Sequence, residues 1–182
     1  MDRHPVFNLV APWMTELLDG LDHPWAVCGG AVRDVIRGKT PHDIDIMSFA
    51  TTRALLDAIT SRRNDATVKA PYTLGGKGKV RFPAAGWISK ADIEPIVIGA
   101  GNMEVWSCLE YGWTGIPKGR IEEFDFSCNA IAAWSDGTLS ADDEVLHHIK
   151  TGQMAILTPK RALRPHRVGH MQAKGFRLVS AA

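Results

Sequence analysis

Apolar residues in this chain fall into short runs and short periodic stretches. Residues 25–28 form an apolar run ended by Gly29 and Gly30, which reads as a buried strand and a turn. Val32, Val35 and Ile36 then recur at helical spacing, predicting a helix over 31–37 that Gly38 closes. Ile44 and Ile46 alternate with Asp43 and Asp45, the period-two pattern of a strand with one buried face. A second amphipathic helix is expected over 52–63, capped by Thr51 or Thr52. Residues 66–70 and 80–82 read as strands, and 93–98 and 104–109 as a strand pair. Residues 129–134 resume as helix or strand, and 6–21 predict an N-terminal helix interrupted or begun at Pro12. Strand and helix patterns thus alternate along the chain.

The chemistry concentrates where the first strand meets the first helix. Gly29 and Gly30 lack Cβ atoms, so the backbone can turn tightly and a phosphate can approach the main chain. A helix starting there points free N–H groups at an anion, and Arg33 in its first turn is expected to add a charge-assisted contact to the phosphates. Asp43 and Asp45 leave one face of the next strand, where two carboxylates repel unless a cation lies between them. Magnesium takes hard oxygen ligands and keeps positions open for substrate phosphate. Two such ions could activate a hydroxyl and steady a leaving pyrophosphate.

These residues in this order, Gly29-Gly30-Ala31-Val32-Arg33-Asp34, Gly38 and Asp43-Ile44-Asp45, resemble the head domain of tRNA nucleotidyltransferases (CCA-adding enzymes) and bacterial poly(A) polymerases. That family belongs to the polymerase-β-like nucleotidyltransferase superfamily. Weaker matches follow in the family's order. Glu104-Val105-Trp106-Ser107 is similar to a family strand whose acid would be the third active-site carboxylate. Asp92 and Glu94 are its alternatives. Residues 125–132 resemble the family's Asp-Phe-Thr-Ile-Asn-Ala-Met-Ala segment, so Asp125 either orders the ribose side of the pocket or caps its own element. Arg161, Arg164 and the Lys174-Gly175-Phe176 end resemble the family's neck helix. The resemblance implies an α/β (α+β) fold, a small mixed sheet flanked by helices, with a catalytic head over 1–150 and a short basic helical neck over 151–182, without the family's body and tail. It also implies transfer of a nucleoside monophosphate from ATP or CTP to an RNA 3′ end, with magnesium and NTP held by the residues above.

Two departures bear on selectivity. Glu123 and Phe124 stand where the family has two arginines, one expected to touch the nucleotide. Of the family's base-selecting Glu-Asp-x-x-Arg, residues 157–161 keep only Arg161. The same chemistry on a protein or small-molecule acceptor, or a non-catalytic nucleotide- or RNA-binding module, therefore stays open. A homo-oligomer or a separate partner chain could supply the RNA grip.

Net charge is +1, which argues against a general polyanion magnet, but the stretch from Lys160 to Arg177 holds six Lys/Arg, His166 and His170 with no acid. Arg161 and Arg164 would share a helix face there, facing a triphosphate or an RNA backbone, with Pro165 kinking or starting the helix. Cys28, Cys108 and Cys128 lie far apart in apolar runs, as buried free thiols suited to a reducing cytoplasm. No run is long enough to span a bilayer, and the start does not read as a signal peptide. The Gly75–Lys79 stretch lacks the spacing of a phosphate-binding loop and reads as a turn, residues 109–120 as a mobile loop over the site, and His147-His148 as structural. The tryptophans read as core, with Trp106 and Trp113 the candidates for base stacking.

Overall fold

The computed structural model describes residues 3–62, 67–69, 79–81, 97–100, 103–107, 124–157 and 165–180. Eight strands among them form one mixed sheet: β1 (Trp25–Cys28), β2 (Ile44–Ser48), β3 (Thr67–Lys69), β4 (Lys79–Arg81), β5 (Val97–Ala100), β6 (Met103–Ser107), β7 (Ala132–Trp134) and β8 (Leu139–Ser140). Their order is β4-β3-β5-β6-β2-β1-β7-β8. Only the central β2–β6 contact is parallel within this sheet, and a parallel pair needs a crossover between its strands. Helix α3 (Thr52–Arg62) opens that crossover, with Thr51 Oγ1 accepting from the Ala54 N–H at 3.1 Å.

Counting rungs shows why the sheet holds this register. One row crosses all eight strands through Val80, Val68, Ile98, Val105, Ile46, Val27, Ala133 and Leu139, apolar in every strand. Val27, Ile46, Val105 and Ala133 of that row are fully buried. They pack under α1 (Pro12–Gly20), α2 (Gly30–Ile36) and α3 through Met14, Leu17, Leu18, Val32, Leu55 and Ile59. Each such side chain contributes about 1.5–3 kcal/mol on burial. A slip by one residue would turn the row to the other face, so the register is strongly specified.

Three expectations are refined. The N-terminal helix is split into a 3₁₀ turn at Pro5–Leu9 and α1, which begins at Pro12 because Pro carries no N–H and suits a first helical position. Residues 129–134 are neither all helix nor all strand: a 3₁₀ turn at Ser127–Asn129 leads into β7. The basic C-terminal segment is not set apart from the head's core. After α4 (Asp143–Thr151), strands β9 (Gln153–Met154) and β10 (Arg177–Leu178) pair in parallel, and α5 (Pro165–Ala173) lies between them in sequence. Met154, Met171 and Phe176 join the same buried cluster as the sheet. Asp92, Glu94, Cys108, Trp113, Arg161, Arg164 and the 75–78 and 109–120 loops lie outside the described residues. Among the described residues no helix is long and apolar enough to cross a membrane.

Candidate active site

Gly29 joins β1 to α2 with φ 70° and ψ −132°, a conformation that side chains rarely adopt. A Cβ there would also meet Phe124 Cε1 at 3.1 Å, a tight contact added to the backbone strain. The turn is pinned by its own backbone: the Gly29 N–H donates to Ile131 O at 2.8 Å, and its carbonyl accepts from the Arg33 N–H at 3.2 Å. Helix α2 has seven residues, so its dipole is modest and close main-chain approach is the turn's chief asset.

The expected carboxylates stand beside this turn. Asp43 is exposed, one residue ahead of β2; Asp45 is half-buried within it, and Ile44 and Ile46 fill the core behind. Across the ladders Asp45 pairs with Cys28 of β1 and with residue 104 of β6. Paired residues lie on one sheet face about 4.8 Å apart across strands, so the backbone register sets Glu104 next to Asp45. The full row reads Arg81, Thr67, Gly99, Glu104, Asp45, Cys28, Ala132, Ser140. Small residues, Gly99 on one side and Cys28 and Ala132 on the other, flank the two acids. Extending the β1–β2 register past Cys28 brings Gly29 and Gly30 alongside Ile44 and Asp43. Turn and carboxylates therefore meet at one end of the sheet.

Among the described residues no three His, Cys, Asp or Glu side chains close a metal cage. Two carboxylates at an accessible sheet end are nonetheless a donor set that fits magnesium, which is commonly bound through one or two protein carboxylates plus substrate phosphates.

Other expected site residues turn inward. The Arg33 side chain is buried, and its guanidinium donates from Nε to Asp34 Oδ1 at 2.7 Å, from Nη1 to Asn129 Oδ1, and from Nη1 to Met171 Sδ at 3.6 Å. It lies beneath the turn, its Nη2 3.4 Å from where a Gly30 Cβ would be. These donors enter an internal network, because buried guanidinium donors must find partners. Asp125 is buried too: Oδ1 accepts from the Phe126 N–H and Asn129 Nδ2, each at 3.0 Å, and Oδ2 accepts from Arg167 Nε at 2.6 Å. Both carboxylate oxygens of Asp125 thus bond to groups of the protein itself. On the far side Lys174 Nζ donates to Asp34 Oδ2 at 3.1 Å, and Arg37 stacks 4.3 Å over Phe176. Arg167, which sequence reasoning passed over in favour of Arg161 and Arg164, is the cation α5 brings to Asp125. The available signal was its place two residues after Pro165, the first residue of α5.

His148 is structural, as expected. Ser127 Oγ accepts from the Ala155 N–H at 2.9 Å and shares a 2.7 Å hydrogen bond with His148 Nδ1. Burial pushes the Cys128 thiol up to about 12, keeping it protonated; Arg33 opposes the shift and Asp125 adds to it. Trp25 and Trp134 are core, as expected.

The fold is that of the nucleotidyltransferase head of CCA-adding enzymes. A Thermotoga maritima CCA-adding enzyme complexed with tRNA superposes with a TM-score of 0.63 at 17% identity, over 98% of this chain and 43% of its own. A CCA-adding enzyme complexed with CTP gives 0.62 at 18% identity, over 96% and 42%. A tRNA nucleotidyltransferase complexed with a primer tRNA and an incoming ATP analogue gives 0.57 at 18%, over 91% and 46%. This chain thus spans under half the length of each, and the likeness is one of fold. No protein-family model and no curated protein matches it in sequence.

Proposed function

We propose that this chain is the catalytic head of a metal-dependent nucleotidyltransferase that moves a nucleoside monophosphate from an NTP to the 3′ hydroxyl of a tRNA-like RNA. The observation that carries the reading is the shared row of Asp45 and Glu104 beside the Gly29 turn. Asp43 and Asp45 would hold two magnesium ions, which supply charge neutralisation for the reacting phosphates and an acidified acceptor hydroxyl. Gly29 and Gly30 let the triphosphate lie against the main chain, with Arg33 beneath and Arg161 and Arg164 from the basic segment. Glu104 takes the hydroxyl proton as the acceptor oxygen bonds to the α-phosphorus. The bond from that phosphorus to the bridging oxygen breaks, and pyrophosphate leaves with the electron pair.

Label transfer tests this. Purified chain is incubated with magnesium, each α-labelled NTP in turn and a deproteinised tRNA-rich RNA pool, beside Asp43→Asn/Asp45→Asn. RNA label that vanishes in the double variant is expected. Label on a protein or small molecule instead would reassign the acceptor. No label on any acceptor would leave binding without catalysis.

A further inference from the structure

We infer that Phe124 is the stacking wall of the nucleotide site and makes it selective for a purine nucleoside triphosphate. The inference rests on the nucleotidyltransferase reading and adds the base class to it. Three observations converge on this ring. Its Cε1 and Cζ lie 3.1 and 3.6 Å from the position of a Gly29 Cβ, so it borders the turn that faces the triphosphate. The ring is half-buried and packs against both apolar clusters of the molecule. One of these, Ala26, Cys28, Met47, Ala132 and Trp134, lies on the same sheet face as Asp45, because Met47 follows Asp45 at the strand period and Cys28 is its cross-strand partner. Phe124 therefore stands at the rim of the carboxylate face.

The third observation is its anchorage. The next residue, Asp125, is held by Arg167, by Asn129 and by its Oδ1 accepting from the Phe126 N–H, so the backbone under the ring is fixed. A pre-set aromatic surface loses little freedom when a base lies on it. An arginine at this position would reach for phosphate oxygens, whereas phenylalanine offers only a π-face, and every base has one to match. Purines present the larger face. The site's base preference then comes from stacking rather than from hydrogen bonds to a base edge.

The test is calorimetric titration of the full chain, with magnesium, against α,β-methylene-ATP, α,β-methylene-CTP and inorganic tripolyphosphate. The wild type is expected to bind the ATP analogue about tenfold more tightly than tripolyphosphate, and more tightly than the CTP analogue. Phe124→Leu should erase both margins and leave tripolyphosphate affinity unchanged, while Phe124→Trp keeps them; thermal melts verify that both variants fold. Phe124→Arg should raise tripolyphosphate affinity and lose the purine margin. Equal wild-type affinity for the ATP analogue and tripolyphosphate, or margins retained in Phe124→Leu, would overturn the stacking role and leave the nucleotidyltransferase reading standing. Binding of none of the three compounds would remove that reading and this one together.

Discussion

Two pairs of aspartates divide the labour of this molecule. Asp34 and Asp125 are 5% and 3% exposed, and each carboxylate is answered by cations of the protein: Arg33 and Lys174 for the first, Arg167 for the second. Asp43 is exposed and Asp45 half-buried, both at the open end of the sheet. A carboxylate ringed by its own protein's cations is committed to the fold. Asp43, exposed just ahead of β2, stays open to solvent. The difference is invisible in residue type and lies wholly in which element carries the acid.

The comparison is broken most sharply by removing one acid from each pair. Asp45→Asn should lower nucleotide transfer by about a thousandfold, several kcal/mol of transition-state stabilisation, with the urea midpoint essentially unchanged. Asp34→Ala should cost about 3–5 kcal/mol of stability in urea unfolding, since it strands a buried guanidinium. Asp43→Ala, on an exposed position, should stay within about 0.5 kcal/mol. If Asp43 and Asp34 cost the same, the division between site and scaffold is wrong.

Smaller effects sharpen the picture around the turn. Gly29→Ala should cost about 1–3 kcal/mol through its positive φ and the contact with Phe124. Pairing it with Phe124→Ala should recover the steric share and leave the backbone share, separable by a double-mutant cycle in urea. At the other end of the chain, burial holds His4 below its ordinary 6.5, and its Nδ1 accepts from the Val6 N–H at 3.2 Å. The unfolded chain then binds more protons in the window below pH 6.5. His4 thus contributes stability that is present above that pH and lost as pH falls through the window. His4→Asn should flatten this slope in urea titrations from pH 7.5 to 5. Last, Cys128 should resist iodoacetamide at pH 8 in the folded chain and react only on unfolding, read by mass spectrometry, because its thiol titrates near 12 and is fully buried.

Much of the scaffold was legible from local pattern. The apolar run at 25–28 and the alternation around Asp45 became β1 and β2 because period and burial agree there. Nothing local says that β6 pairs with β2; that neighbourhood, which sets residue 104 beside Asp45, is made by a crossover whose strands are far apart in sequence. The burial of Arg33 was equally out of reach of local reading. Its position in the first turn of α2 suggests an outward cation, but Asp34, Asn129 and Met171 come from three parts of the chain and converge on it. Asp125 could be read as cap or ligand until Arg167 was seen beside it. Local chemistry reads well when its partner is a neighbour in sequence and poorly when the partner is brought by the fold.

The all-apolar row through the sheet has a consequence for how this site can change over time. Because β1, β2 and β6 are locked to one another rung by rung, Asp45 and Glu104 meet only while each strand keeps its count of residues from the row of Val27, Ile46 and Val105. A substitution can silence one acid. A single-residue insertion or deletion within β2 would instead turn every later side chain over, setting an acid against the helices and an isoleucine on the opposite face. Spacing is thus inherited more strictly than identity here, and variation in length should collect in the connections and avoid the strands.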